Sequence, residues 1–209
     1  MHQSRQLKRR NQAGVVLILA IVVLVAMSLA AIALMRSTLT GNKVAGNLAF
    51  QQSATQSADV GVETAVSWLE QNRLGTTLQA DLTRSGVGTK AYFSSRSDPT
   101  STQSWSDWWD AQAANVKNPA KEDSSGNPVA DAAGNTVQYI IQRLCRQSGD
   151  PTGNIGCETA PTADPGKGGS KGAGGGGPSG IAVQYYYRVT SRVTGARGTV
   201  SFVQVVVAM

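Results

Sequence analysis

The chain has 209 residues, enough for one domain plus an extended element, and a formal net charge of +6. Four of its 19 basic residues lie in the first ten positions, which hold no acid, so the rest of the chain carries only +2. That balance gives little support to nucleic-acid binding. His2 is the single histidine, so the remainder cannot form a Ser-His or Cys-His pair and lacks the commonest transition-metal ligand. We therefore expect a protein that is not an enzyme and that binds no cofactor, metal or nucleic acid.

An apolar run follows this basic segment. From Val15 to Met35, Ser28 is the only residue with a strongly polar side chain. As a helix the run covers roughly 30 Å, the thickness of a bilayer's hydrocarbon core. Positive charge before it predicts a cytoplasmic N-terminus, with the remainder of the chain sent across the membrane. The resemblance described below implies that this membrane is the inner membrane and that the head lies in the periplasm.

Three interpretations of this segment compete. A cleaved secretory signal has a shorter apolar core and a small-x-small site, whereas this run ends in Ala33-Leu34-Met35-Arg36. An uncleaved signal anchor agrees with hydropathy alone. The third interpretation depends on Gly14, which stands between the basic residues and Val15 and resembles the cleavage point of a prepilin leader. That resemblance implies that a prepilin peptidase cuts after Gly14 and methylates the new N-terminus at Val15.

The next block extends the resemblance. Ala45-Gly46-Asn47, Phe50-Gln51, Asp59 and Glu63 are similar to the N-terminal region of PilX-type minor pilins of type IV pili, over roughly residues 5–70. The resemblance implies that the apolar helix is first a membrane anchor and then part of the core of a fibre. Major pilins usually carry a glutamate at the fifth position after cleavage, where this chain has Leu19. Its absence implies a minor, tip-proximal subunit that initiates or primes assembly and supports adhesion and twitching motility.

The same resemblance implies the partners and the location. The partners are other major and minor pilins through the N-terminal helix, the prepilin peptidase, the inner-membrane assembly platform, a tip adhesin and the lipid bilayer. The protein would move from the inner membrane to the pilus at the cell surface. Two alternatives stay open, namely a pseudopilin of a type II secretion system and an uncleaved single-pass membrane protein with an exported binding domain.

Periodicity predicts how the helix continues. We expect a leader at 1–14, a long helix at 15–74 with residues 15–35 in the membrane, and a globular head at 75–209. Apolar or small residues recur at spacings of three and four and mark one face: Phe50, Ala54, Ala58, Gly61, Ala65 and Leu69. Gly41 and Gly46 predict a weak or partly unwound segment. The helix should end near Asn72–Gly75, with Gly75 as the C-cap.

Residues 76–135 are polar and contain two notable features. Three tryptophans, at 105, 108 and 109, could either form an exposed adhesive surface or fill the core of a small domain. An Asp-x-x-Gly-Asn pattern occurs twice, beginning at Asp123 and at Asp131. Oxygen-rich loops of this kind can bind calcium, but the spacing of an EF-hand is missing. Asx-turns at hairpin tips are the simpler interpretation.

The last third of the chain is rich in β-branched and aromatic residues. Strands are predicted at 137–144, 184–193 and 199–207, the last two as a C-terminal hairpin. Alternation along the second strand predicts a sheet covered on one side by the long helix. The fold class is therefore α+β and pilin-like, with a half-transmembrane, half-amphipathic N-terminal helix on a small antiparallel sheet of three or four strands.

Cys145 and Cys157 are the only cysteines, and on the oxidising side of the membrane they predict one disulfide that closes a short loop. The loop resembles the one that pilins close near the C-terminus. Residues 166–180 contain nine glycines in fifteen and no phosphate-binding pattern, so we predict a flexible surface loop.

Overall fold

The computed structural model describes residues 13–160, 183–195 and 198–209, so the predicted leader up to residue 12 and the glycine-rich loop lie outside the described residues. The chain divides into two compact units, Met1–Ala49 and Phe50–Met209. The main elements, in chain order, are α1 (Ala13–Asn72), α2 (Trp105–Ala111), β1 (Asn118–Pro119), β2 (Thr136–Arg143), β3 (Tyr186–Thr194) and β4 (Val200–Ala208). Short 3-10 turns lie at Thr77–Gln79 and Ala114–Val116.

The first unit consists of the N-terminal part of α1. Its large apolar side chains are exposed, from Val15 to Leu48. Its hydroxyl groups donate to backbone carbonyls one turn earlier, as Ser28 does to Leu24 over 2.8 Å. The helix passes through Gly41 and Gly46 without a break, so the predicted unwound segment is wrong for this structure. A cost of about 1 kcal/mol per glycine is small against the hydrogen bonds on either side.

The end of the helix lies where the sequence predicts, since the last helical residue is Asn72. Gly75 follows three residues later, in the bend after the helix, with a φ of 109°, the left-handed conformation that glycine adopts without strain. The C-cap role of Gly75 stays a prediction.

The second unit contains a four-stranded antiparallel sheet in the order β1-β2-β3-β4. Strands β3 and β4 form the predicted C-terminal hairpin, with Tyr186 opposite Ala208 and Thr194 opposite Val200. The predicted α+β, pilin-like fold is confirmed, because a long apolar-to-amphipathic helix packs on a small antiparallel sheet.

Residues 50–72 of α1 cover one face of this sheet through small side chains. Ala54, Ala58, Ala65 and Leu69 are buried against strands β2 and β3, as the periodicity predicts. Phe50, predicted on the same face, is instead 51% exposed. Gly61 makes the closest approach, because a Cβ atom built there would lie 2.9 Å from Ser191 Oγ and 3.0 Å from Val137 Cγ1. Glycine at this position therefore lets helix and sheet come together.

The long helix covers one face of the sheet, as predicted, and the opposite face is covered as well. Trp108 and Trp109 of α2 are buried against Ile140, with Trp105 and Phe202 packed beside them. A capping box holds the start of α2, since the Ser104 side chain accepts from the Asp107 N–H and the Asp107 carboxylate accepts from the Ser104 N–H. The tryptophan cluster is therefore part of the core, as the second of the two interpretations predicts.

Both Asp-x-x-Gly-Asn loops are Asx-turns, but only one contacts the helix. In each turn the aspartate Oδ1 accepts N–H bonds two and four residues later, in Asp123 from Ser125 and Asn127. The second turn packs on α1, because Ser57 Oγ donates to Asp131 Oδ2 over 2.6 Å. Burial works to raise the pKa of Asp131, but the hydrogen bonds, led by that from Ser57, outweigh it and leave the pKa below its usual value.

The cysteines form the predicted disulfide, with Sγ atoms of Cys145 and Cys157 2.03 Å apart. Arg143, buried on β2, anchors the loop that the disulfide closes. Its Nη2 donates to the Gly149 carbonyl over 2.7 Å and its Nε donates to the Ser94 carbonyl over 3.0 Å. The loop is thus held to the head by the disulfide and by a buried guanidinium.

Candidate assembly surface

The first unit presents an apolar stripe along one side of α1. Its members are spaced three and four residues apart, which places them on one helix face: Val16, Leu19, Ala20, Val23, Leu24 and Met27. Leu19 lies within this stripe and is 58% exposed. A helix whose apolar side chains are all exposed in the isolated chain requires lipid or other apolar helices around it.

The stripe carries no charge. The chain has no acidic residue between Ala13 and Ala58, and the basic residues of that stretch, Arg36 and Lys43, lie after the apolar run. This segment therefore contains no carboxylate that could act in place of the glutamate that Leu19 replaces. Any subunit that packs against this part of α1 meets hydrocarbon, satisfied backbone and the hydroxyl of Ser28, which bonds to the Leu24 carbonyl.

The described part of the chain contains one helix long and apolar enough to cross a membrane, α1, by length and composition alone. Gly14 and Val15 lie in its first turn, and a Cβ atom at Gly14 would meet no atom within 4 Å. Gly14, Val15 and Leu19 therefore lie together within two turns of one helix, whereas Cys145 and Cys157 lie in the head.

Sequence reasoning missed the polar side chains that join α1 to the loop at Asp131. Asn135 Nδ2 donates to Ser53 Oγ and to Ser57 Oγ, each over 2.9 Å. Ser53 and Ser57 are spaced by four, so they occupy one helix face, and the repeated Asp-x-x-Gly-Asn pattern supplied the partners. The serine pair and the Asp-x-x-Gly-Asn pattern are both visible in the sequence, but nothing in the sequence indicates that residues so far apart along the chain are in contact.

Among the described residues no group of three His, Cys, Asp or Glu side chains could hold a metal ion. The phenols of Tyr92, Tyr139 and Tyr187 have a raised pKa because they are buried in the core. Those tyrosines pack in the interior between α1 and the sheet, so their pKa shifts follow from their place in the core.

A long helix with an exposed apolar half, joined to an α+β head with a disulfide, fits a membrane-anchored protein. Residues 13–63, about a quarter of the chain, match the family described as PilX N-terminal. Over this stretch the chain is similar to the N-terminal region of PilX-type type IV pilins, which supports the resemblance drawn from the sequence. No curated protein and no solved structure matches the chain.

Proposed function

We propose that this protein is a minor pilin that joins type IV pili at or near the tip and helps to initiate their assembly. The observation that carries the proposal is the PilX N-terminal match over a helix whose apolar stripe is exposed in the isolated chain. Its partners are other pilins, the prepilin peptidase, the inner-membrane assembly platform and a tip adhesin. The protein acts by assembly, first in the inner membrane and later in the pilus.

Assembly exchanges one apolar environment for another. Residues 15–35 bury apolar surface against lipid tails while anchored, and against the same helices of neighbouring subunits in the fibre. The favourable term is about 25 cal/mol per Å² of apolar surface removed from water in either setting. Because the two settings are nearly equal for hydrocarbon, selectivity among subunits depends on polar and charged groups and on shape.

Leu19 supplies such a difference. In a subunit with glutamate at this position, the carboxylate can neutralise the N-terminal amine of its neighbour in the apolar interior. Leu19 has only a hydrocarbon side chain, and α1 contains no acidic residue before Asp59. A neighbouring subunit whose N-terminal amine lies beside Leu19 forms no ion pair there. Adding that neighbour is therefore less favourable, which favours a position of this protein at the end of the fibre over repeated incorporation along it.

Leu19→Glu should move the protein from the tip into the shaft of the pilus. An ion pair worth about 1 kcal/mol corresponds to a roughly fivefold gain in incorporation per major pilin. Quantitative mass spectrometry of sheared pili measures the amount, and immunogold labelling measures the position. Leu19→Gln is the matched control, because it adds polarity without charge. An unchanged amount and position in Leu19→Glu would contradict the explanation from charge.

Processing at Gly14 is tested by the N-terminal mass of the protein from membranes and from sheared pili. We expect a chain that begins at methylated Val15 in both fractions. Gly14→Leu should stay uncut and confined to membranes, whereas Gly41→Leu, an equally open glycine of the same helix, should be cut normally. An intact leader on the wild-type protein in cells with an active prepilin peptidase would favour an uncleaved anchor. Cut protein found only with secretion pseudopilins would indicate the type II secretion alternative.

A further inference from the structure

The two edges of the sheet differ sharply in their protection. At one edge β1 is two residues long, contains Pro119 and is buried, and the Asn118 side chain bonds both backbone groups of Ala91 beyond it. At the other edge β4 is nine residues long. Proteins commonly block an open sheet edge with a short strand, a proline, a charged residue or a covering segment. Among the residues that the structure describes, β4 has none of these features.

The register shows which backbone groups of β4 are free. Tyr185 and Met209 exchange both of their backbone hydrogen bonds, and Gly195 N donates to Thr199 O, so the odd-numbered residues of β4 bond to β3. The even-numbered residues direct N–H and C=O away from the sheet, and within the described ranges none of these groups has another partner. They are Val200, Phe202, Gln204, Val206 and Ala208.

The side chains of β4 are mostly apolar and at least partly accessible, with Ser201 and Gln204 as the polar members. Val200 is 41% exposed and Val206 is 52% exposed, and β4 contains no charged residue. A strand added to this edge would pair its main chain with five residues and place every second side chain beside Phe202 and Val206. Main-chain pairing of this kind gives affinity, and alternate side chains give specificity.

We infer that β4 is an acceptor edge for an extended, uncharged, apolar strand contributed by a different subunit of the pilus. The inference rests on the proposed function, because the surface that this edge buries is too small to hold a free partner. A nine-residue strand is roughly 30 Å long and a sheet about 10 Å thick, so pairing buries roughly 600 Å² in total, below the 1,200 Å² of stable complexes. A partner held nearby by its own helix in the assembly overcomes this deficit through effective concentration.

A second copy of the chain is the competing occupant. In a symmetric antiparallel pair the free residues would match with Gln204 opposite Gln204, so Gln204→Cys would link two copies through a disulfide. At roughly 600 Å² such a pair should not persist between free copies. A Gln204→Cys homodimer in pili would overturn the assignment to a different subunit.

The test compares two substitutions at Val206, whose N–H is directed away from β3. Val206→Pro removes the outward N–H and leaves all β3 bonds in place, since proline is tolerated at an edge on the solvent side. Val206→Thr keeps the N–H. We expect unfolding midpoints of the two full-length variants in detergent to agree, and about tenfold less Val206→Pro than Val206→Thr in sheared pili.

Hydrogen exchange of the full-length wild type keeps the inference testable if Val206→Pro fails to fold. In the detergent-solubilised chain the amides of Phe202, Gln204 and Val206 should exchange fast and those of Val203 and Val205 slowly. In pili both sets should be slow. Even-numbered amides that are slow already in detergent, or fast in pili, overturn the inference, as does equal incorporation of both Val206 variants. Absence of the wild-type protein from pili would instead overturn the proposed function.

Discussion

Trp109→Ala should lower the free energy of unfolding by about 3–5 kcal/mol, the range for deleting a fully buried tryptophan. Trp109 is completely buried, packs edge-on against Phe202 with ring centroids 5.9 Å apart, and lies 5.9 Å from Lys117 Nζ. Its indole Nε1 has no hydrogen-bond partner among the described residues, so the ring contributes through packing and the Lys117 contact and not through a hydrogen bond. Urea unfolding of the full-length protein in mild detergent, followed by far-UV circular dichroism, measures the change.

Trp105→Ala is the matched control from the same helix. Trp105 is only partly buried, and its main contact besides Trp108 is the Arg188 guanidinium, 5.3 Å above the ring. Its removal should cost about 1 kcal/mol. If the two substitutions destabilised the head equally little and both reduced adhesion, the tryptophan cluster would have to be an exposed binding surface.

Loss of the disulfide should cost about 3 kcal/mol, because cysteines twelve positions apart close a loop of that size in the unfolded chain. The variant is Cys145→Ala with Cys157→Ala, measured by the same urea unfolding. Contacts of Arg143 with the loop carbonyl of Gly149 remain in the variant and should keep the head folded in buffer.

Reduced wild-type protein is the control for this prediction. Its unfolding midpoint should equal that of the double variant, since both lack the cross-link. A double variant as stable as the oxidised wild type would show that the loop is already fixed by Arg143 and that the disulfide adds nothing.

The strands were predictable because β-branched and aromatic residues alternate strongly along them. The same alternation carried a signal that was missed. Arg143 lies two residues after Ile141 and four after Tyr139, so the pleat puts all three on the side of the sheet that α1 covers. Arginine is usually exposed, and the burial of Arg143 is compensated by hydrogen bonds to the Gly149 carbonyl of the disulfide loop and to the Ser94 carbonyl outside that loop.

Other parts of the head were beyond sequence reasoning for a different reason. Which face of the sheet receives Trp108 and Trp109 depends on the path of the polar segment before β1, and that segment has no periodicity. The contact of Ser57 with Asp131 joins positions 74 residues apart. A single sequence records that both residues exist, but it carries no information that they meet.

The strand order has a consequence for the nascent chain. Strand β2 pairs with β3, yet the disulfide loop and the glycine-rich stretch are synthesised between them. At a synthesis rate of about 5–20 residues per second, strand β3 is completed seconds after Tyr139 and Ile141 of β2. During that interval the small-residue face of α1 is the available cover, so the helix made first serves as a template on which the later strands are laid.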